Sequence, residues 1–270
     1  EEENFTKYLG DFEIEELVKK YSDYVRYPIR MEETHVSHEY DKDGKVIPEK
    51  DKTTVEDKTL NSRVPLWKKA KSQVSDKELN DFYKTTYHDY EEPLCSLFVK
   101  LEGMVSFNAL VFIPSHVPYD LYSDKYEKGL SLYTKGIFIK DKCSELVPDY
   151  LKFIKGLVDC DDFPLNISRE RLQASPLRKK ISDAIEKKVV EKLKDRQKNE
   201  KDKYLKFNKL FGNYIKGGIY SSYGAKKDTL QDLLRYATYK HEEPISLSQY
   251  VKERKPDQKE IYFASGKTKE

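Results

Sequence analysis

The sequence is poor in the residues that announce a special compartment or cofactor. Cysteine occurs three times, at Cys95, Cys143 and Cys160, with no CxxC pair and an odd total. That pattern excludes a disulfide framework and points to a reduced, cytoplasmic setting. Long apolar runs are missing as well. The longest, 109–113, has five residues, against the roughly 20 that a membrane-spanning helix needs. No basic-then-apolar leader opens the chain, so neither a secretory signal nor a membrane partner is expected. Glycine numbers only 11, and the pair Gly217-Gly218 has neither the GxxxxGK[ST] nor the GxGxxG spacing of a phosphate-cradling loop. Neither charge sign prevails, since 50 Lys and Arg stand against 48 Asp and Glu.

What the sequence does have is charge and aromatic mass. Charged residues make up 36% of 270, and mean hydropathy is −0.83. Yet 21 Tyr, 12 Phe and one Trp are too many aromatics for a disordered chain, so a sizeable core is expected in one large or two smaller domains. The chain opens on Glu1-Glu2-Glu3 and not on Met, as a piece of a longer protein would. Charge is unevenly spread. Residues 1–60 carry 17 acids and 10 bases, while 178–209 carry 13 bases and 6 acids. The basic stretch reads either as a solvated helix face or as a surface for nucleic acid, phosphate or an acidic partner.

Periodicity sets the expected elements. Asp11 can cap a helix bearing Ile14, Leu17, Val18, Tyr21 and Val25. Asp43-Gly44 lies between extended segments at 29–40 and 45–57, as in a hairpin with a polar, mobile tip. Ser75-Asp76-Lys77-Glu78 is a capping box and predicts a helix over 76–87. Segments 96–102 and 105–113 form a second hairpin, 130–139 a further strand and 148–158 a helix. A long amphipathic helix is expected from 176 to 202, with Leu177, Ile181, Ile185, Val189 and Leu193 as its buried stripe. An aromatic helix around Phe207 and Phe211 ends at Gly217-Gly218. Beyond it come a helix over 228–239, a capping box at Ser246, a helix to Arg254 and a strand over 260–264. The order argues for an α/β, or layered α+β, fold with a lesser α/β unit at the C-terminal end.

Candidate chemistry is sparse. His35 and His38 stand at i and i+3, which on a strand point to opposite faces, so no metal site is expected. The cysteines read as small core residues. Trp67 can be a core anchor or an exposed binding aromatic. The segment 164–173 differs in kind. Arg169 follows Asn166 and Ser168 on a short loop that leads into the long helix. A loop arginine can present a guanidinium fork to a phosphate and stabilise charge developing there, or it can be an ordinary helix-start residue.

These residues carry a resemblance. Phe163-Pro164-Leu165-Asn166-Ile167-Ser168-Arg169-Glu170, continuing to Leu172-Gln173, resembles the catalytic-loop signature of the heat-shock protein 90 chaperones. Tyr21-Ser22-Asp23-Tyr24-Val25, Pro65-Leu66-Trp67, Phe112-Ile113-Pro114, Gly136-Ile137-Phe138-Ile139, Leu233-Leu234-Arg235-Tyr236 and Ile261-Tyr262-Phe263 follow in family order. The wording is most similar to the bacterial branch, and the resemblance covers nearly the whole chain apart from the polar stretch at 35–60.

The resemblance implies the middle segment of an ATP-dependent folding chaperone. Its fold would be a large αβα sandwich subdomain over 1–198, a helical connector over 199–216 and a smaller αβα subdomain over 217–270. ATP and Mg2+ would be bound mainly by a separate N-terminal domain, and a C-terminal domain would make the homodimer. This segment alone would then be a monomer, hold no cofactor and turn over no ATP. Arg169 would reach the γ-phosphate, supported by Asn166 and Gln173. Unfolded client proteins would be the other partners, with Trp67 and Phe138 as candidate contact aromatics, although Phe138 reads equally as core. Where some members carry a client-contacting aromatic after Phe207, Asn208 stands here. The rival expectation is a non-catalytic module binding nucleic acid or acidic proteins through 178–209. A third makes the loop arginine purely structural.

Overall fold

The apolar run at 109–113 lies in a five-stranded sheet and is buried throughout, as a strand covered on both faces must be. The computed structural model describes residues 10–37, 52–103, 105–163 and 176–266. Its first elements are helix α1 (Asp11–Ser22) and an antiparallel pair, β1 (Arg30–Ser37) and β2 (Lys52–Thr59). The turn at Asp43-Gly44 lies outside the described residues. Helix α1 starts one residue earlier than the pattern suggests, with Gly10 and not Asp11 at the cap.

The main sheet contains β3 (Cys95–Leu101), β4 (Phe107–Ile113), β5 (Leu130–Thr134), β6 (Ile137–Cys143) and β7 (Lys155–Cys160), in the order β3-β4-β7-β5-β6. All neighbours are antiparallel except β5 and β7. Alternation divides the side chains between two layers. Leu110, Phe112 and Leu157 join Trp67, Leu79 and Tyr83 on one face, under helix α2 (Asp76–Tyr87). Ala109, Val111, Ile113, Leu132 and Val158 join Ile181, Ile185, Val189 and Leu193 on the other, under helix α3 (Pro176–Asn199). The result is an αβα sandwich. Helix α2 begins as its capping box requires: Ser75 Oγ accepts the Glu78 N–H at 3.2 Å, and the Glu78 carboxylate accepts the Ser75 N–H at 2.9 Å.

Several elements depart from the periodic reading. The span 130–139 is no single strand but a hairpin. Lys135 and Gly136 both have positive φ, 54° and 82°, as a two-residue turn matching strand twist demands. A Cβ on Gly136 would lie 2.2 Å from the Tyr24 carbonyl oxygen, so only glycine serves there. The expected helix over 148–158 is a single 3-10 turn, Asp149–Leu151, followed by β7. Phe153, Ile154, Leu157 and Val158 are buried on both sides, and that all-round burial mimics helical spacing.

The helix expected over 176–202 is also two. Glu200, at φ −137° and ψ 62°, separates α3 from helix α4 (Lys201–Ser221). Helix α4 does not stop at Gly217-Gly218 but runs through it. Gly218 packs against the Tyr150 ring, and a Cβ there would lie 2.6 Å from Tyr150 Cγ. The glycine therefore permits a close approach and does not mark an end.

The expected helix over 228–239 is two short turns, α5 (Lys227–Leu230) and a 3-10 turn Gln231–Leu233, followed by a lone bridge between Tyr236 and Ile245. Helix α6 (Leu247–Lys252) carries the anticipated Ser246 cap, whose Oγ accepts the Gln249 N–H at 3.1 Å. Residues 260–264 form no strand with any described residue, contrary to the sequence pattern.

The two glycines differ in what a methyl group would meet. Gly218→Ala should cost about 1–3 kcal/mol in urea unfolding through overpacking on Tyr150. Gly217→Ala, with nothing within 4 Å, should gain about 0.5–1 kcal/mol from helix propensity. Equal effects would mean that Gly218 is not held by Tyr150.

Candidate functional site

The candidate loop, 164–175, lies between β7 and α3. Asn166, Arg169 and Gln173 fall outside the described residues, whereas both anchors are described. On the entry side Phe163 is buried, and the Asp162 carboxylate accepts the Ser106 N–H at 3.1 Å. On the exit side Arg178, in the first turn of α3, is buried and paired with Glu145 at 3.0 Å.

Just before the entry anchor stands Asp159, whose side chain is fully buried beside Tyr133 of β5. Its Oδ2 accepts the indole N–H of Trp67 at 3.0 Å and faces the Lys68 ammonium at 2.9 Å. Its Oδ1 accepts the Gly136 N–H at 3.5 Å. One carboxylate thus ties together the 3-10 turn Leu66–Lys68, the β5–β6 turn and the strand that feeds the loop.

Trp67 is 2% exposed, which corrects its reading as a surface aromatic. Its ring packs edge-on to Tyr24 at 4.4 Å and lies 5.3 Å from Tyr133. The proline before it and the lysines after it gave no signal that the indole meets a residue 92 positions away. Phe138 is half-buried, with the Tyr21 ring at 5.9 Å and the Tyr133 ring at 5.5 Å. The two aromatics share neighbours through Tyr133 but do not form one open surface.

Six of the thirteen bases of the stretch 178–209 are buried or held in ion pairs. Arg178 and Arg196 are buried. Lys188 meets Glu191, Lys192 meets Asp195, Lys203 meets Glu200 and Lys201 meets Glu243, all within 3.1 Å. Such pairs dilute the field that a polyanion would need. Among the described residues no group of three His, Cys, Asp or Glu is placed to hold a metal ion, and no helix is long and apolar enough to cross a membrane. His38 lies outside the described residues, and of His35 only the strand position opposite Thr54 is described.

The fold matches the middle domain of a Plasmodium falciparum heat shock protein with a TM-score of 0.67 and 29% identity, over 76% of this chain and 80% of that one. The sequence profile described as Hsp90 protein matches residues 32–270, and the chain belongs to the Hsp90 family. It is 40% identical over all 270 residues to Chaperone protein HtpG of Clostridium perfringens. The same identity holds for the HtpG of Clostridium botulinum strain Loch Maree. In each case the chain spans 42% of the relative's length.

Two measurements probe this frame. Asp159→Ala leaves two N–H donors and an ammonium without their acceptor and should cost about 2–4 kcal/mol in urea unfolding, whereas Trp67→Phe removes a single donor and should cost about 1–2 kcal/mol. The reverse order would remove Asp159 from the centre of the network. The three thiols are buried. Burial and the neighbouring Glu145 push Cys143 up to about 12, and burial pushes Cys160 to about 11. At pH 8 all three, Cys95 included, should resist iodoacetamide in the folded chain and react together in denaturant.

Proposed function

We propose that this chain is the middle segment of an ATP-dependent folding chaperone and that Arg169 completes the ATPase site of the parent protein. The observation that carries the reading is the loop itself. The sequence from Phe163 to Gln173 matches the family's catalytic signature and sits between two structured anchors, at Phe163 and at Pro176.

ATP with its Mg2+ supplies the phosphoryl group and is bound mainly by an N-terminal domain. When that domain docks, Arg169 places a permanently charged, forked donor beside the γ-phosphate. It offsets the negative charge that builds as the terminal P–O bond lengthens. Asn166 and Gln173 hold the loop in register for that contact. The αβα sandwich positions the loop, and turnover therefore depends on docking between domains. Clients are partly folded chains that bind weakly and broadly, and half-buried Phe138 is one contact offered to them. Trp67 acts from beneath, as the partner of Asp159. The parent protein is a cytoplasmic homodimer whose dimer contact lies in a C-terminal domain.

The test is ATP turnover by the full-length parent with Arg169→Ala. Turnover should fall ten-fold or more, about 1.4 kcal/mol of transition-state stabilisation, with ATP affinity and Tm unchanged. Unchanged turnover would make the loop arginine structural.

A further inference from the structure

Where α3 gives way to α4, the chain from 235 to 249 folds back over the junction and leaves a cleft of about 540 Å3, within the size range of small-ligand sites. Arg235 lines it, and Arg235 is held in place without being neutralised. Its Nη1 donates to the carbonyls of Leu234 at 2.9 Å and Asp232 at 3.3 Å, and its guanidinium lies 5.1 Å from the centre of the Tyr204 ring. That ring is fixed in turn, because Tyr204 is buried and its hydroxyl donates to the Leu233 carbonyl. Gln197 Nε2 steadies the same turn by donating to the Asp232 carbonyl at 2.6 Å. Among the described residues no carboxylate pairs with Arg235. Burial disfavours its charge, and Asp232 offsets this only in part.

With Nη1 spent on carbonyls, the free edge of the guanidinium plane carries Nε–H and Nη2–H, a side-on fork spaced for the two oxygens of one carboxylate. The other charges of the cleft select among oxyanions. Lys201 is matched by Glu243 at 2.7 Å, and His241 by Glu253 at 2.6 Å. Arg235 and Lys240 then stand against Glu242, a surplus of one positive charge. A carboxylate balances that surplus, whereas a phosphate monoester brings about two negative charges at pH 7 and would meet Glu242 with the excess. Leu205 and Pro244 add an apolar wall beside the fork. We infer that this cleft binds a carboxylate attached to a small apolar body. Arg235 grips the carboxylate, Lys240 adds charge at the rim, and Leu205 and Pro244 receive the apolar part. An acidic side chain of an extended peptide and a free small acid both carry that chemistry.

The test is an NMR titration of the 270-residue chain, followed at the Arg235 Nε–H and the backbone amides of 240–245. The probes are hexanoate, the peptide acetyl-Ala-Glu-Leu-amide, the same peptide with Gln for Glu, and inorganic phosphate. At least one carboxylate probe should shift these signals saturably and the Gln peptide should not. Which carboxylate binds more tightly tells a peptide side chain from a free acid. Arg235→Lys, which keeps the charge and loses the fork, should weaken binding about ten-fold or more. Lys240→Ala should weaken it about two- to three-fold, and Lys77→Ala, on the far helix α2, should leave it unchanged. Equal binding of the Glu and Gln peptides, tighter binding of phosphate, or full affinity in Arg235→Lys would each overturn the assignment, as would no binding by either carboxylate. The Glu-against-Gln comparison is made on the unaltered chain, so it decides the matter even if Arg235→Lys does not fold.

Discussion

A carboxylate buried at the end of a central strand is the constraint around which this fold is arranged. Asp159 has no access to water, so its charge must be met by the protein or it would cost several kcal/mol. Three donors meet it, Trp67 and Lys68 from one 3-10 turn and Gly136 from the β5–β6 turn, and none belongs to the stretch that holds Asp159. Each imposes its own condition. The indole N–H requires the 3-10 turn Leu66–Lys68 to lie over the sheet. The Gly136 N–H requires a β5–β6 turn of two residues with positive φ, which brings Gly136 against Tyr24. The segment after α1, the hairpin and β7 are thus assembled by one group four residues before the buried Phe163.

The long helices answer to a different rule. Their basic surplus reads as a binding face when bases are counted along the sequence. In three dimensions Lys188, Lys192 and Lys203 are matched by carboxylates one helical turn away, while Lys201 reaches across to Glu243. Buried Glu186 accepts from the Tyr150 hydroxyl at 2.6 Å and pairs with Lys226, which also lies over the Tyr150 ring. Tyr150 is hemmed in by Gly218 on its remaining side. A tyrosine, a glutamate, a lysine and a glycine from four places thereby fix α3 and α4 against the turn that precedes β7.

Local chemistry was legible wherever it decided the structure by itself. Ser75 with Glu78, Ser246 with Gln249 and the stripe from Ile181 to Leu193 all specify their elements through contacts a few residues apart. The sequence misled where a distant partner decided. Gly218 resembles a helix stop until Tyr150 is beside it, and 148–158 resembles a helix because a strand buried on both faces leaves no alternation to detect. Trp67 could not be assigned to core or surface without Asp159. Of the site, the arginine loop was readable as a motif, but its anchors were not. Neither Arg178 nor Glu145 stands in any local pattern, and their meeting depends on α3 crossing the end of β6.

On the proposed reading of Arg169, the arginine is carried by a segment separate from the nucleotide pocket, and that separation has a kinetic consequence. A group within the pocket would act whenever ATP was bound. A group on a neighbouring body acts only in the docked state, so the rate reports the docked population, and anything that favours docking accelerates turnover by the same factor. That coupling is faithful only if the arginine is rigid relative to its own body, for otherwise loop motion and not docking would limit the rate. What the described residues contribute are the flanks of that loop, fixed by buried Asp159 and Phe163 on the β7 side and by buried Arg178 beside Glu145 on the α3 side.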